Sequence, residues 1–305
     1  MISFLIKRSL WMLFTLWIVF TVSFFLMRAV PGGPFAGERK VSPEVERNLR
    51  ARYDLDAPLH QQYLKNLLRT ASGDLGPSFK LADFTVNEIL GQGFPVSASL
   101  GILALVFACT LGVAAGVASA IYRNSWIDVG MMLAATIGVA VPNFVLASLA
   151  VLLFVFIWPL FPAGGWGELQ HLILPSICLG APFAAYIARL TRTGMLDVLG
   201  HDYVRTARAK GLSPYQVITR HALPIALMPV VSYLGPATAG ILTGSLVLER
   251  IFAIPGMGSH FIDAATQRDY TLAMGAVLLY TLLLYVMNTL VDVAYWVIDP
   301  RVKLG

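Results

Sequence analysis

Residues 129–167 read VGMMLAATIGVAVPNFVLASLAVLLFVFIWPLFPAGGWG, thirty-nine consecutive positions without Asp, Glu, Lys or Arg. A helix rises 1.5 Å per residue and about 20 apolar residues cross a bilayer core, so this run is too long for one straight span. The stretch Trp158-Pro159-Leu160-Phe161-Pro162, followed by Ala163-Gly164-Gly165, supplies the break that ends it. Five more charge-free runs accompany it, at 9–27, 89–122, 169–188, 222–248 and 271–291. They are continuous, whereas a lipid-facing barrel strand alternates and is only about ten residues long. An all-α polytopic membrane protein with six transmembrane helices is predicted.

Composition points the same way. Of 305 residues 57% are apolar and 13% charged, against about 45–50% and about 25% in soluble domains. The first run follows Lys7-Arg8 like a secretory signal, but it exceeds the usual apolar region of about 7–15 residues. It also ends in Met27-Arg28-Ala29-Val30-Pro31, without a small-x-small cleavage site, and reads as a retained anchor. Cys109 and Cys178 both fall inside predicted spans, which leaves no disulfide framework and no thiolate metal cluster; both read as small apolar residues.

Basic residues near span ends set the orientation. With a cytoplasmic N-terminus the inside segments carry eleven basic residues (Lys7, Arg8, Arg123, Arg189, Arg192, Arg205, Arg208, Lys210, Arg220, Arg301, Lys303) against five acidic ones. Both termini are therefore predicted inside. This bias also accounts for the net charge of +5, so nucleic acid is not predicted as a partner and membrane lipid is.

Outside the spans, the segment after the first run opens helices at Ser42-Pro43, to about Arg52, and at Pro58. In the second, Leu59, Tyr63, Leu64, Leu67 and Leu68 share a face. Gly73-Asp74-Leu75-Gly76-Pro77 turns the chain, and Thr85-Val86-Asn87-Glu88 has the form of a capping box. A helical cap and a docking surface for an external partner both remain open for this segment. Pro255-Gly256-Met257-Gly258, in the last external segment, is a second place for such a contact, and a plain turn is the alternative.

The inside segment 189–221 holds six basic residues against two acidic ones. Asp202 is predicted to N-cap a helix beginning Tyr203-Val204-Arg205, with Arg208 and Lys210 in its last turn and Gly211 just past its end. Ser213-Pro214-Tyr215-Gln216 then starts another helix with a capping box. A short helix between two hinges is shaped to seat in a groove of a cytoplasmic partner; a plain basic loop is the alternative.

Catalytic and metal-site patterns are missing: there is no Gly-x-x-x-x-Gly-Lys-Ser/Thr, no His-Glu-x-x-His and no Gly-x-Ser-x-Gly. No catalytic or metal-binding residue and no bound cofactor is assigned to the chain. Midplane ionisable groups, which mark the ion path of many secondary carriers, are almost absent from these spans. Asp292 lies at the inner end of the last run and reads as interfacial. Gly112 and Gly116 have the spacing for close helix approach, and Pro142, Pro175, Pro229 and Pro236 allow kinks.

Arg205-Thr206-Ala207-Arg208-Ala209-Lys210-Gly211, followed thirteen residues after the glycine by Pro224 in Leu223-Pro224, resembles the EAA loop of ABC-importer membrane subunits. Ala207, Gly211, Leu223 and Pro224 match the family-wide pattern, whereas Arg205, Thr206 and His221 stand where it has Glu, Ala and Ile. That variant is similar to the peptide-transport branch, and no role of the Glu is carried over. Residues 30–39, 73–80, 202–204, 268–270 and 299–301 agree, so the resemblance covers essentially the whole chain, most like the B-type permease of the oligopeptide group. Dipeptide, glutathione and nickel permeases are the nearest alternatives, and an ATP-independent carrier is a more distant one.

The resemblance implies a type I ABC importer permease fold in a bacterial cytoplasmic (inner) membrane. It implies a second homologous permease subunit, two cytoplasmic ATPase subunits that use ATP and Mg, an extracytoplasmic peptide-binding protein and a peptide substrate. The layout it implies is a cytoplasmic N-terminus at 1–8, a first span at 9–28, an external helical segment at 29–94 and a permease core at 95–305. Core spans lie at about 95–122, 129–158, 169–188, 222–248 and 271–291, with the cytoplasmic coupling loop at 189–221. Asp202, Tyr203, Arg205, Thr206, Ala207, Arg208, Ala209, Lys210, Gly211, Leu223 and Pro224 are the expected ATPase-coupling residues. Pro255, Gly256, Met257 and Gly258 are the expected external contact.

Overall fold

Apolar runs form helices because the backbone then satisfies its own polar groups. The computed structural model describes residues 2–29, 56–81 and 83–298. Its helices are α1 (Ile2–Ala29), α2 (Leu59–Ala71), α3 (Val86–Ile121), α4 (Trp126–Ala140), α5 (Asn143–Ile157) and α6 (Gln170–Val198). They continue as α7 (Asp202–Ala209), α8 (Pro214–Ala226), α9 (Met228–Ile251), α10 (Met257–Gln267) and α11 (Tyr270–Ile298). The helix expected from Ser42-Pro43 to Arg52 and the 30–39 and 299–301 stretches lie outside the described residues.

Four helices are long and apolar enough to cross a membrane, at Ser3–Ala29, Val86–Ile121, Gln170–Val198 and Tyr270–Val293. The other two expected spans are bent pairs, α4 with α5 at 106° and α8 with α9 at 52°. Counting each pair as one span gives six. At the first bend Val141 is extended (φ −85°, ψ 124°) because it precedes Pro142, whose ring disfavours a helical neighbour. The result is sharper than a kink. Each half is about 22 Å long, shorter than the ~30 Å hydrocarbon core. At the second bend Pro229 opens α9, where its missing N–H costs nothing. The expected break after residue 157 is present, with Gly165 N–H donating to Phe252 O at 2.9 Å.

The chain divides into two compact units, 1–96 with 256–285, and 97–255 with 286–305. In the first, Phe20 and Phe24 of α1 pack with Tyr63 and Leu67 of α2 and with Met274 and Leu278 of α11. The expected apolar face of α2 is split: Tyr63 and Leu67 turn inward, while Leu59, Leu64 and Leu68 are exposed. Thr85 and Glu88 form the expected capping box, Thr85 N–H to Glu88 Oε2 at 2.8 Å and Glu88 N–H to Thr85 Oγ1 at 3.2 Å.

Asp269 pins the loop before that box. Its buried carboxylate accepts from Ser78 Oγ, Phe79 N (3.2 Å), Lys80 N (3.3 Å), Thr271 Oγ1 (3.1 Å) and Leu272 N (3.1 Å). Asp269→Ala removes this shared acceptor and is expected to destabilise the unit by about 2–4 kcal/mol, on the scale of one or two buried donors losing their acceptor. Faster proteolytic cleavage at 77–81 in the purified protein is the readout.

In the second unit, Gly112 and Gly116 bring α3 against α6 as their spacing predicted. A Cβ at Gly116 would stand 2.5 Å from Ala188 O, and one at Gly112 2.7 Å from Ala184 O. Without side chains there, backbone packs directly on backbone. Cys178 is buried and Cys109 half-buried, both as free thiols.

Candidate functional site

α7 is short, polar on one side and closed at its C-terminal end by its own sequence. Its N-cap is His201 (φ −75°, ψ 151°), with Asp202 the first helical residue. This corrects the expectation that Asp202 is the N-cap. The Asp202 carboxylate instead pairs with Arg205, in the first turn, where negative charge opposes the exposed N–H dipoles. The pair is exposed and contributes little stability.

At the other end Gly211 is left-handed (φ +80°). Its N–H donates to Arg208 O at 2.9 Å, and Leu212 N–H reaches back to Ala207 O at 3.4 Å. This Schellman arrangement satisfies carbonyls the helix leaves open. The next helix begins with the predicted capping box, Gln216 N to Ser213 Oγ at 3.3 Å and Ser213 N to Gln216 Oε1 at 3.1 Å. A wider π turn, Val217–Ala222, follows within α8.

The underside of α7 is apolar. Val204 (0% exposed) and Ala207 are buried with Ala120 of α3, Met195 and Val198 of α6, and Val217, Ala222 and Ala226 of α8. Leu212 and Leu223 pack against this cluster. Of the eleven expected coupling residues, Ala207 and Leu223 thus belong to the seat beneath the helix. Asp202, Tyr203, Arg205, Thr206, Arg208, Ala209, Lys210 and Gly211 face outward, as does Pro224 on α8.

Tyr203 Oη donates to His221 O at 3.4 Å, and burial, then the charge of Asp197, push its phenol above its ordinary pKa. Beside the helix an apolar cleft of about 310 Å³ is lined by Ile121, Leu199, Arg208, Leu212, Pro214 and Ile218, among others. Tyr215, 75% exposed, stands at the start of α8. A firm apolar base under a basic outer face suits docking and transmission of force; among the described residues no group of three metal-ligating side chains gathers anywhere.

The expected external contact is placed differently. Pro255 is exposed, but Gly256, Met257 and Gly258 are buried. Met257 (1% exposed) sits in the core of the first unit with Val86, Ile89, Leu90, Leu272 and Ala276. Its side chain therefore offers no surface, because filling that core outweighs presenting a thioether to a partner.

One node went unread in the sequence. Asp128, buried in the first turn of α4, accepts from Arg192 Nε (2.7 Å) and Nη2 (2.8 Å), from Asn124 N (2.9 Å) and from Ser119 Oγ. The spacing Ser125-x-x-Asp128 is a local capping signal, but nothing local pairs position 128 with 192. Glu249, also buried, accepts from Ser97 Oγ at 2.7 Å.

Long apolar helices and two broken pairs, with a basic helix seated on helix ends, define a multi-pass membrane component. The chain belongs to the family of binding-protein-dependent transport system inner membrane components, which matches residues 112–304; the N-terminal region of that membrane component matches residues 1–101. This is the family expected from residues 205–224.

The chain is similar, at 46% identity over 304 residues, to the dipeptide transport system permease protein of Bacillus subtilis (strain 168), covering 100% of this chain and 99% of the relative. It is 46% identical over 305 residues to the oligopeptide transport system permease protein of Escherichia coli (strain K12), covering 99% and 100%. Among solved structures, the inward-facing MetNI methionine ABC transporter matches with a TM-score of 0.56 at 18% identity, over 69% of this chain and 96% of that one. An amino acid ABC transporter solved with histidines matches at 0.52 and 18%, over 68% and 94%. These two likenesses concern the fold.

Proposed function

We propose that this chain is a transmembrane permease subunit of an ATP-driven peptide importer in the bacterial inner membrane. It forms half of the translocation pathway and couples to a cytoplasmic ATPase through the Tyr203–Gly211 helix. The observation that carries the reading is α7 itself: Arg205, Arg208 and Lys210 face outward while Val204 and Ala207 anchor the helix to the ends of α3, α6 and α8. Force applied to this helix passes into α3 and α6, two of the long apolar helices. Its outer residues, with Leu223 and Pro224, are the coupling site; Gly211 is its hinge.

The chain spans the membrane six times, each bent pair counting once, with both termini cytoplasmic as the short-loop charges favour. Its partners are a second homologous permease, two ATPases that consume ATP with Mg, and an extracytoplasmic peptide-binding protein. Closure of the ATPases on ATP moves α7 and opens the pathway outward; hydrolysis resets it. Pro255 and the exposed apolar residues Leu64, Leu68, Leu81 and Phe84 are the surfaces offered to the binding protein.

Oligopeptides are the proposed cargo, from the Pro34-Phe35-Ala36-Gly37-Glu38-Arg39 and Gly76-Pro77-Ser78-Phe79-Lys80 stretches. Equal identity to a dipeptide permease favours dipeptides as the second reading.

Purification of the tagged chain from its native membrane in mild detergent, with assay of ATPase activity stimulated by loaded binding protein, tests the proposal. Two ATPases and a second permease are expected at stoichiometric ratio; recovery of this chain alone with ATP-independent flux would overturn it. Reversing both outward charges, Arg208→Glu with Lys210→Glu, is expected to weaken ATPase retention about tenfold, because like-charge contacts across an interface cost on the order of a kcal/mol or more.

A further inference from the structure

The Asp128 node ties α4 to α6 at one end of a packed seam, along which Gly138 of α4 lies close against Ala185 of α6. Of the residues of α4, only Asp128 and Ala135 are fully buried, and Asp128 is the charged one of the two. It is fully engaged: each of its two oxygens meets one nitrogen of Arg192, one also accepts from Ser119 Oγ and the other from Asn124 N. Asn124 holds a left-handed backbone (φ 63°) that turns the chain from α3 into α4. Four donors saturate a carboxylate's acceptor capacity, and the two parallel bonds of a guanidinium fork fix orientation as well as distance.

The residues gripping Asp128 come from the turns that seat α7. Ser119 immediately precedes Ala120, and Arg192 lies one turn before Met195; Ala120 and Met195 are both in the core under Val204 and Ala207. Apolar contacts between these helices can slide, whereas the fork cannot turn without breaking. Another polar tie between α4 and α6, Arg189 Nη2 to Thr136 Oγ1 at 3.0 Å, is a single bond to a neutral oxygen.

Resting on the proposed function, we infer that Asp128 and Arg192 are positioning residues forming the rigid joint through which the bent pair α4–α5 follows the docking helix α7 in each transport cycle. A joint of this kind leaves ATPase docking to α7 and passes the movement on to the α4–α5 half of the unit.

The test uses the complete transporter, with both permeases, both ATPases and the binding protein, in proteoliposomes. Asp128→Asn and Arg192→Lys are compared with Thr136→Val, and peptide transported per ATP hydrolysed is measured on assembled complexes. Both joint variants are expected to retain the ATPases at normal stoichiometry while peptide per ATP falls about tenfold, the scale of an ordinary coupling between sites; Thr136→Val stays at the wild-type ratio. Arg192→Lys keeps the charge and one hydrogen bond, so it serves if Asp128→Asn does not accumulate. A wild-type ratio in assembled Arg192→Lys complexes would overturn the joint, because a group that only adds stability lowers yield and leaves the ratio alone. A wild-type complex without ATPases or peptide transport would instead overturn the proposed function.

Discussion

Gly211→Pro is expected to abolish peptide uptake and strip the ATPases from the purified complex, while peptide capture by the free binding protein is unaffected. Gly211 sits at φ +80°, and proline holds φ near −65°. Its N–H, which proline lacks, donates to Arg208 O at the end of α7. Losing the turn and the bond together costs about 3 kcal/mol or more, a shift beyond a hundredfold against the seated helix. Gly211→Ala separates the two effects. No atom lies within 4 Å of an added Cβ there, so only the left-handed backbone is penalised, by about 1–2 kcal/mol. Partial uptake is expected from the alanine variant, and more from Gly211→Asn, which tolerates positive φ. Normal uptake and ATPase retention in Gly211→Pro would remove α7 as the coupling element.

The second large effect concerns accumulation of the protein. Gly116→Leu is expected to prevent recovery of monodisperse protein, because its Cβ would stand 2.5 Å from Ala188 O and from Thr191 Cβ, and 3.0 Å from Arg192 N. Two of these atoms are backbone, so no rotamer relieves the collision and α3 must move off α6, at about 3 kcal/mol or more. Gly130→Ala on α4 is the matched control. Nothing lies within 4 Å of a Cβ there, and replacing glycine inside a helix gains about 0.5–1 kcal/mol. Yield and thermal unfolding in the same detergent decide between these outcomes; equal behaviour of the two variants would contradict the close seam.

The features legible in the sequence are the local ones. Charge-free runs become helices, and the Pro-Gly stretch after residue 157 ends one, because each depends only on neighbouring residues. The capping boxes at Thr85–Glu88 and Ser213–Gln216 and the glycine stop at Gly211 form as read, since their donors and acceptors lie within a few residues. The small error at Asp202 is of the same local kind: a helix start moves by one residue when His201 supplies the extended backbone.

Tertiary packing decided the rest. Pro142 allows a kink in one span, and the 106° between α4 and α5 exceeds what that expectation described. The apolar face of α2 divides because Tyr63 and Leu67 find Phe20 and Phe24, leaving Leu64 and Leu68 outward. Met257 looked like a surface residue in an apolar turn and fills a core instead. Asp128 and Arg192 stand 64 residues apart in the chain until the fold brings them within 2.7 Å. Hydropathy, capping and backbone preference act over a few residues, so the apolar helices, the break after residue 157 and the short basic helix Asp202–Ala209 were legible from the residues alone. Which charges pair and which apolar residues are hidden depends on contacts between residues far apart in the chain, and packing settles both.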